Sequence, residues 1–158
     1  MQYIHRPQVH VISYRSSTFN KDFMNLNFGQ LHQDTYNLSI RDMGFPDQGS
    51  GFYSQRLDYS SWLIFNKAQR VHQNFVETLT ISLLAILIGG LSFPISVASV
   101  SLAEFIGRIF TLSYISSKGA SHPLRIIGLI LIYGAIITNN VFAFITASRI
   151  LNGQNVYQ

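Results

Sequence analysis

Three long apolar stretches fill the C-terminal two-thirds of the sequence and limit what the chain can fold into. They run from about Trp62 to Phe93, from Ile95 to Ile115 and from Leu124 to Ser148. The second and third have about the 20 residues that an α-helix needs to cross the hydrocarbon core of a bilayer. In the first, only the part after Thr78 is uniformly apolar, so we expect its first turns to protrude from the membrane or to contact other protein. The pattern predicts an all-α fold, a membrane helical bundle of about three transmembrane helices.

The charged residues are few and unevenly distributed. Hydrophobic residues make up 47% of the chain and charged residues 11%, whereas about a quarter of the residues of a typical soluble domain are charged. Residues 1–59 carry five basic and five acidic side chains, and residues 60–158 carry six basic and two acidic ones, so the net charge of +4 belongs to the apolar part. Because these cations flank or interrupt hydrophobic runs, we expect no nucleic-acid partner.

The N-terminal segment, residues 1–59, has a polar composition rich in Asn, Gln, Ser, Tyr and Gly, with breaks at Pro7, Gly44–Asp47 and Gly49–Gly51. No helical or strand period continues through it, and such a segment cannot by itself offset its chain entropy. We therefore expect an extended, irregular N-terminal arm (residues 1–59) held in place by the membrane domain or by other proteins. The transmembrane domain (residues 60–151) and a short tail (residues 152–158) follow.

The positions of the basic residues predict an orientation in the membrane. With three spans, Lys67, Arg70, Lys118 and Arg125 lie on one side and Arg149 alone lies on the other. The excess of Lys and Arg near span ends is typical of the cytosolic or matrix side. We therefore expect the N-terminal arm on that side.

Polar residues within the spans are the candidates for function. Arg70, Asn74 and Glu77 have the i, i+4, i+7 spacing that places side chains on one face of a helix. Desolvating such groups is costly unless they are paired or bind a polar ligand. Two interpretations follow: a site for a small anionic or zwitterionic ligand, or an interhelical ion-pair network. No cysteine is present and the five histidines have no metal-binding spacing, so we expect no metal.

The second and third spans carry polar residues for which a structural role is the simpler expectation. Glu104 and Arg108 are four residues apart, with the acid first, which is the favourable order for an ion pair within one helix. Pairing of Arg108 with Glu77, or of Glu104 with Arg70, is an alternative. Only one of two adjacent asparagines in the third span can face a neighbouring helix well, and five glycines indicate close approach of helices. These residues are Asn139 and Asn140, and Gly89, Gly90, Gly107, Gly128 and Gly134.

The run from Phe65 to Glu77 reads FNKAQRVHQNFVE. It resembles the second-helix motif of the MAPEG family (membrane-associated proteins in eicosanoid and glutathione metabolism), and the microsomal glutathione transferase type 3 branch is the most similar in pattern. Gly89-Gly90, the segment Leu102–Arg108 and the third span follow in the order and spacing of that branch. The resemblance covers about Trp62–Leu151.

In this family, protomers of four helices form trimers and bind glutathione between neighbouring protomers. The resemblance implies that this chain retains such a glutathione- or lipid-binding site. The positions that match the family's ligand contacts are Arg70, Asn74 and Glu77, with Arg108 and Tyr114 as further members of the site. We expect no tightly bound cofactor, with glutathione or a lipid as the ligand to consider.

Three features depart from the family's pattern. The polar residues 1–59 stand where the family has its first transmembrane helix. Thr78 replaces the tyrosine expected just after the motif's glutamate, and Thr111 and Ile115 replace two later tyrosines, with Tyr114 one residue away. For the late arginine that activates the glutathione thiol, Arg125 is the catalytic candidate, with His122 as a less favoured alternative.

These departures predict a protein without catalytic activity, because a displacement of about 1 Å in an active site can reduce the rate about a hundredfold. We expect an accessory subunit of a large membrane assembly that binds other membrane-protein subunits and lipids. The alternative is a glutathione transferase or peroxidase acting on lipophilic electrophiles, and a third interpretation is a lipid-binding scaffold.

The first twenty residues contain Arg6, Arg15 and several serines but no acidic residue. This composition resembles a mitochondrial transit segment. The expected location is therefore the inner mitochondrial membrane, with a respiratory-chain or ATP-synthase complex as host, and the endoplasmic reticulum is the alternative.

Overall fold

A computed structural model describes residues 11–157 of the chain. Across these residues it contains five α-helices and no strand, which confirms the all-α prediction. The helices are α1 (Val11–Thr18), α2 (Lys21–Tyr36), α3 (Tyr59–Gly90), α4 (Pro94–Thr111) and α5 (Pro123–Leu151). Short 3-10 helices lie at Ser54–Arg56, Leu112–Ile115 and Gly119–Ser121.

Among the residues that the structure describes, three helices are long and apolar enough to cross a membrane, as predicted. These segments are Tyr59–Gly90, Pro94–Ile115 and Pro123–Leu151. The second and third begin with a proline at the first helical turn, where the missing N–H has no intrahelical partner to lose. Asp58 precedes the first segment and accepts a hydrogen bond from the backbone N–H of Ser61 at 3.0 Å, which caps α3.

The chain divides into two compact units, with the boundary between His72 and Gln73, inside α3. We call residues up to His72 the N-terminal unit and residues from Gln73 onward the membrane unit.

The N-terminal unit is organised around a small, largely aromatic core. Phe19, Met24, Phe28 and Phe65 are buried, and the ring centroids of Phe19 and Phe65 are 5.2 Å apart in an edge-to-face arrangement. The guanidinium of Arg15, itself buried, donates to the carbonyl of Met43 at 3.1 Å. Phe65 belongs to the first turns of α3, so these polar turns contact the N-terminal segment of the same chain.

This unit differs from the predicted irregular arm in residues 11–36, which form α1 and α2, whereas residues 37–58 contain only turns, bends and one 3-10 helix. The helices lack an obvious apolar period because their buried side chains are sparse, and Phe65 of α3 completes the core they need. Asn20 caps α2 by accepting a hydrogen bond from the Phe23 N–H at 2.9 Å, and Asn37 ends it in the left-handed conformation.

A buried carboxylate, Asp47, holds the loop before α3 in shape. It accepts hydrogen bonds from the N–H groups of Gly49, Gly51 and Ser54 and from the Ser54 hydroxyl, at 2.7 to 2.9 Å. The carbonyl of Gly49 in turn accepts hydrogen bonds from the indole N–H of Trp62 at 2.9 Å and from Asn66 at 3.1 Å. The Asp47 loop (residues 47–54) is thereby attached to the start of α3.

Close backbone contact defines the packing of α4 against α5 in the membrane unit. A Cβ atom on Gly107 would lie 2.8 Å from the carbonyl oxygen of Gly128, and one on Gly128 would lie 2.7 Å from that of Gly107. A Cβ atom on Gly89 would lie 3.1 Å from the backbone nitrogen of Ala143. These three glycines are close-approach positions as predicted, whereas Gly90 and Gly134 have no atom within 4 Å of such a Cβ, so that prediction is wrong for them.

Acid should weaken the Asp47 loop. Burial raises the pKa of Asp47, but hydrogen bonds from Ser54, Gly49 and Gly51 together lower it more, so its pKa lies below the ordinary value. The stabilisation is therefore complete above the unfolded-state pKa of about 4 and is lost as the pH falls toward the folded-state pKa. Fluorescence of Trp62, the single tryptophan, should change below about pH 4 in the detergent-solubilised protein. Asp47→Asn should lower the unfolding free energy at pH 7 by about 2 kcal/mol and show a weaker acid transition; an equal effect of the exposed Asp34→Asn would contradict this role.

The glycine contact between α4 and α5 predicts opposite results for two matched substitutions. Gly107→Ala should destabilise the membrane unit by about 2 kcal/mol, because the new methyl group meets neighbouring backbone. Gly134→Ala, on the same pair of helices but facing open space, should be neutral or stabilise by up to about 1 kcal/mol through helix propensity. Thermal unfolding followed by circular dichroism compares the two, and equal effects would refute the close-packing interpretation.

Candidate functional site

The membrane unit contains an ion pair within α4 that also contacts polar side chains of α3. Arg108 donates to the Oε1 atom of Glu104 through Nη2 and, at 3.2 Å, through Nε. The helix places the two side chains one turn apart on the same face, as the spacing predicts. Glu104 is only 4% exposed, so its charge requires this partner.

Two hydroxyl groups of α3 complete the arrangement. The Ser82 hydroxyl donates to Glu104 Oε1 at 2.8 Å, and Arg108 Nη1 donates to the Thr78 hydroxyl at 3.2 Å. Thr78 donates its own proton to the backbone carbonyl of Asn74 at 2.9 Å. We call Thr78, Ser82, Glu104 and Arg108 the α3–α4 polar cluster. Its side-chain hydrogen bonds join α3 to α4. This is the kind of structural role that we expected for Glu104 and Arg108.

Three of the five N–H groups of the Arg108 guanidinium are used within the chain. Its Nε, Nη1 and Nη2 atoms all donate within the chain, and its Cζ atom lies 4.8 Å from the centroid of the Phe75 ring. The alternative pairing of Arg108 with Glu77 does not occur, because Glu104 is one turn away on the same helix and needs no rearrangement to reach it. Sequence reasoning missed Ser82, although its position one turn after Thr78 was a usable signal.

Arg70, Asn74 and Glu77 all lie in α3, so the helix that their i, i+4, i+7 spacing predicted is present. Arg70 and Glu77 are exposed and Asn74 is partly buried. Within residues 11–157 neither Arg70 nor Glu77 forms a salt bridge, and no side-chain hydrogen bond is found for either. Their assignment to a glutathione- or lipid-binding site stays a prediction.

The structure brings together two further candidates that the sequence treated separately. Tyr114 lies in the 3-10 helix after α4, and the Cζ atom of Arg125, in the first turn of α5, is 4.9 Å from the centroid of its ring. Arg125 also donates to the carbonyl of Ala120 at 3.0 Å. His122 caps α5 by accepting a hydrogen bond from the Leu124 N–H at 3.3 Å. The loop holds the guanidinium against its own backbone and an aromatic face.

The adjacent asparagines of α5 have different environments, as predicted. Asn139 is fully buried and donates to the Ser101 hydroxyl of α4 at 3.3 Å. Asn140 is exposed and donates to the carbonyl of Ile136 in its own helix at 2.8 Å. Only Asn139 joins two helices.

In residues 11–157 no group of three or more His, Cys, Asp or Glu side chains is placed to bind a metal ion.

The α3–α4 polar cluster predicts a non-additive stability effect. Glu104→Gln should destabilise the membrane unit by about 3 kcal/mol, because it leaves the Arg108 guanidinium without a counter-charge. The double variant Glu104→Gln/Arg108→Gln should recover part of that loss, since no unpaired charge remains. Glu77→Gln, at an exposed position of α3, should change stability by less than about 0.5 kcal/mol. Thermal unfolding in detergent measures these variants together with the single Arg108→Gln, and a double variant that loses as much stability as the two single variants combined would contradict the pairing.

Comparison with known proteins identifies the family of the chain. The model of the MAPEG family matches residues 35–145, most of the chain. The match begins before the predicted limit of the resemblance at Trp62 and so includes part of the N-terminal unit. No curated protein and no solved structure matches the chain significantly. The described part of the chain has three helices able to cross a membrane, with the motif on the first of them, and the chain belongs to the MAPEG family of integral membrane proteins.

Proposed function

We propose that this MAPEG-family protein is a non-catalytic accessory subunit of a larger membrane-protein assembly. The proposal rests on the contacts that Arg108 and Arg125 make within the chain. These two arginines lie outside the α3 motif, and the family resemblance gives them ligand-binding or catalytic roles. Arg108 is neutralised by Glu104, and Arg125 is held by the Ala120 carbonyl and the Tyr114 ring.

An accessible cation beside the sulfur of glutathione favours the thiolate, which is the nucleophilic form of the ligand. A guanidinium already paired with a carboxylate stabilises a second anion less. At Thr78, where the resemblance leads one to expect a tyrosine, the hydroxyl is used by Asn74 and Arg108 within the chain. These contacts favour a structural use of the polar cluster.

The surface of the N-terminal unit supports attachment to other proteins. Several of its large apolar side chains are more than half exposed. Such side chains are candidates for burial in a protein interface. The side chains concerned are Ile12, Leu26, Leu31, Tyr36, Leu38, Phe45 and Phe52.

The host assembly and its membrane form the finer part of the proposal. We favour a respiratory-chain or ATP-synthase complex of the inner mitochondrial membrane, on the composition of the first twenty residues. Arg15 is the one basic residue of that stretch among those the structure describes, and its side chain is buried in the N-terminal unit. The endoplasmic reticulum stays the alternative location.

Substitution on the exposed face of α2 tests attachment. The chain extracted in mild detergent should migrate with a large complex, and cross-links from the exposed Lys21 should reach foreign subunits. Leu26→Asp should release the chain from the complex, because Leu26 is 88% exposed and a charge there opposes burial in an interface. Asn25→Asp, an exposed neighbour that acquires the same charge, is the matched control and should stay in the complex.

A monomeric or purely homo-oligomeric chain with no foreign subunits would overturn the accessory role.

The second candidate, a glutathione transferase or peroxidase, is favoured by one observation: exposed Arg70 and Glu77 have no salt bridge within residues 11–157. Glutathione conjugation by the purified protein that is lost in Arg70→Ala would establish it. Absence of glutathione binding at millimolar concentration would reject it.

A further inference from the structure

One end of the membrane unit contains buried polar atoms that nothing in the described chain satisfies. The hydroxyl oxygens of Ser92 and Thr146 and the Nη1 atom of Arg149 are buried and have no hydrogen-bond partner among residues 11–157. Ser92 is 3% exposed and Thr146 is 0% exposed. Leaving such groups unsatisfied is costly, so their presence at one place needs an explanation.

Aromatic contacts bring these three residues to the same end of the bundle. Ser92 and Phe93 form the turn between α3 and α4, and the Arg149 Cζ atom lies 5.0 Å from the centroid of the Phe93 ring. The Phe93 ring lies 4.9 Å from that of Phe142 on α5. Thr146 is four residues after Phe142 and three before Arg149, which places it on the same helix face. We call Ser92, Thr146 and Arg149 the Arg149 end.

The chain offers Arg149 no side-chain counter-charge. Glu104 is the last acidic residue in the sequence, and it is paired with Arg108. Glu77 is the one other acidic residue after Asp58, and it lies in the half of α3 that precedes its fully apolar part. The buried, unused nitrogen needs an acceptor, and the absence of a paired acidic side chain favours an anion from outside the described chain.

The position of the Arg149 end indicates which anion is present. It lies where α3 ends, α4 begins and α5 finishes, at the ends of three spans, and the phosphate groups of a bilayer are found at that depth. Arginine binds phosphate through paired N–H groups, and hydroxyl groups add further donors. Arg149 as a whole is only partly buried, so an anion can approach its guanidinium.

The surrounding side chains favour a lipid over a free ion. Ile95, near the start of α4, is 82% exposed, and Leu151, two residues after Arg149 on α5, is 87% exposed, so exposed apolar side chains occur at this end of both helices. Acyl chains would cover such side chains while the headgroup meets Arg149. We propose that the Arg149 end binds the phosphate group of a membrane phospholipid. This inference is independent of the accessory-subunit proposal, because it concerns other residues and holds for a lone chain.

Lipid titration of the full chain tests the proposal. In maltoside micelles, which lack phosphate, native mass spectrometry should detect binding of dioleoylphosphatidylglycerol. Dioleoylglycerol, with the same tails and no phosphate, should bind much more weakly. Arg149→Gln should weaken phospholipid binding about tenfold, since a charge-assisted contact is lost. Lys118→Gln removes one positive charge from an exposed site in the loop between α4 and α5 and is the matched control, with binding unchanged.

A second variant keeps the test valid if Arg149→Gln fails to fold. Ser92→Ala/Thr146→Val keeps the charge and nearly the same volume, and it should weaken phospholipid binding about fivefold through two lost donors. Equal binding of the phospholipid and of dioleoylglycerol would overturn the proposal, as would equal loss in Lys118→Gln. Competition by inorganic phosphate at equal concentration would assign the site to a free ion and would also overturn it.

Discussion

The carboxylate of Glu104 is the group on which the arrangement of the membrane unit depends. An ionised side chain among apolar helices is tolerated only with a partner in good geometry. Arg108 supplies the charge, and Ser82 supplies a hydroxyl from the neighbouring helix. Because Arg108 also donates to Thr78, the ion pair contacts α3 at two positions that are one helical turn apart. The glycine contact at Gly107, one residue before Arg108, then brings α5 against the same helix.

The two units obtain their stability from different sources. The membrane unit has small residues at helix contacts and a few interhelical hydrogen bonds, which is typical of helices packed in lipid. The N-terminal unit has aromatic packing around Phe19 and Phe65 and a loop closed by Asp47. The family motif begins on the part of α3 that belongs to the N-terminal unit and continues into the membrane unit.

Much of the fold was predictable from the sequence because its strongest signals are local. Apolar length identifies the three spans, and Pro94 and Pro123 mark where two of them begin. The i, i+4 spacing also correctly pairs Glu104 with Arg108. The helices of the N-terminal unit were not predictable, because their core needs Phe65, which is distant in sequence and lies inside a predicted span. The contact of Arg125 with Tyr114 was missed for a similar reason, since it depends on how the loop after α4 folds back.

The ion pair of α4 also bears on how the protein is made. Arg108 and Glu104 are one turn apart on the same helix, so they can neutralise each other as soon as that helix forms. The segment can then enter the hydrocarbon without a net charge, before α3 or α5 is beside it. Had the partner of Arg108 been on another helix, insertion and assembly would have had to occur together. Local pairing separates the two steps, so α4 can be inserted first and docked afterward.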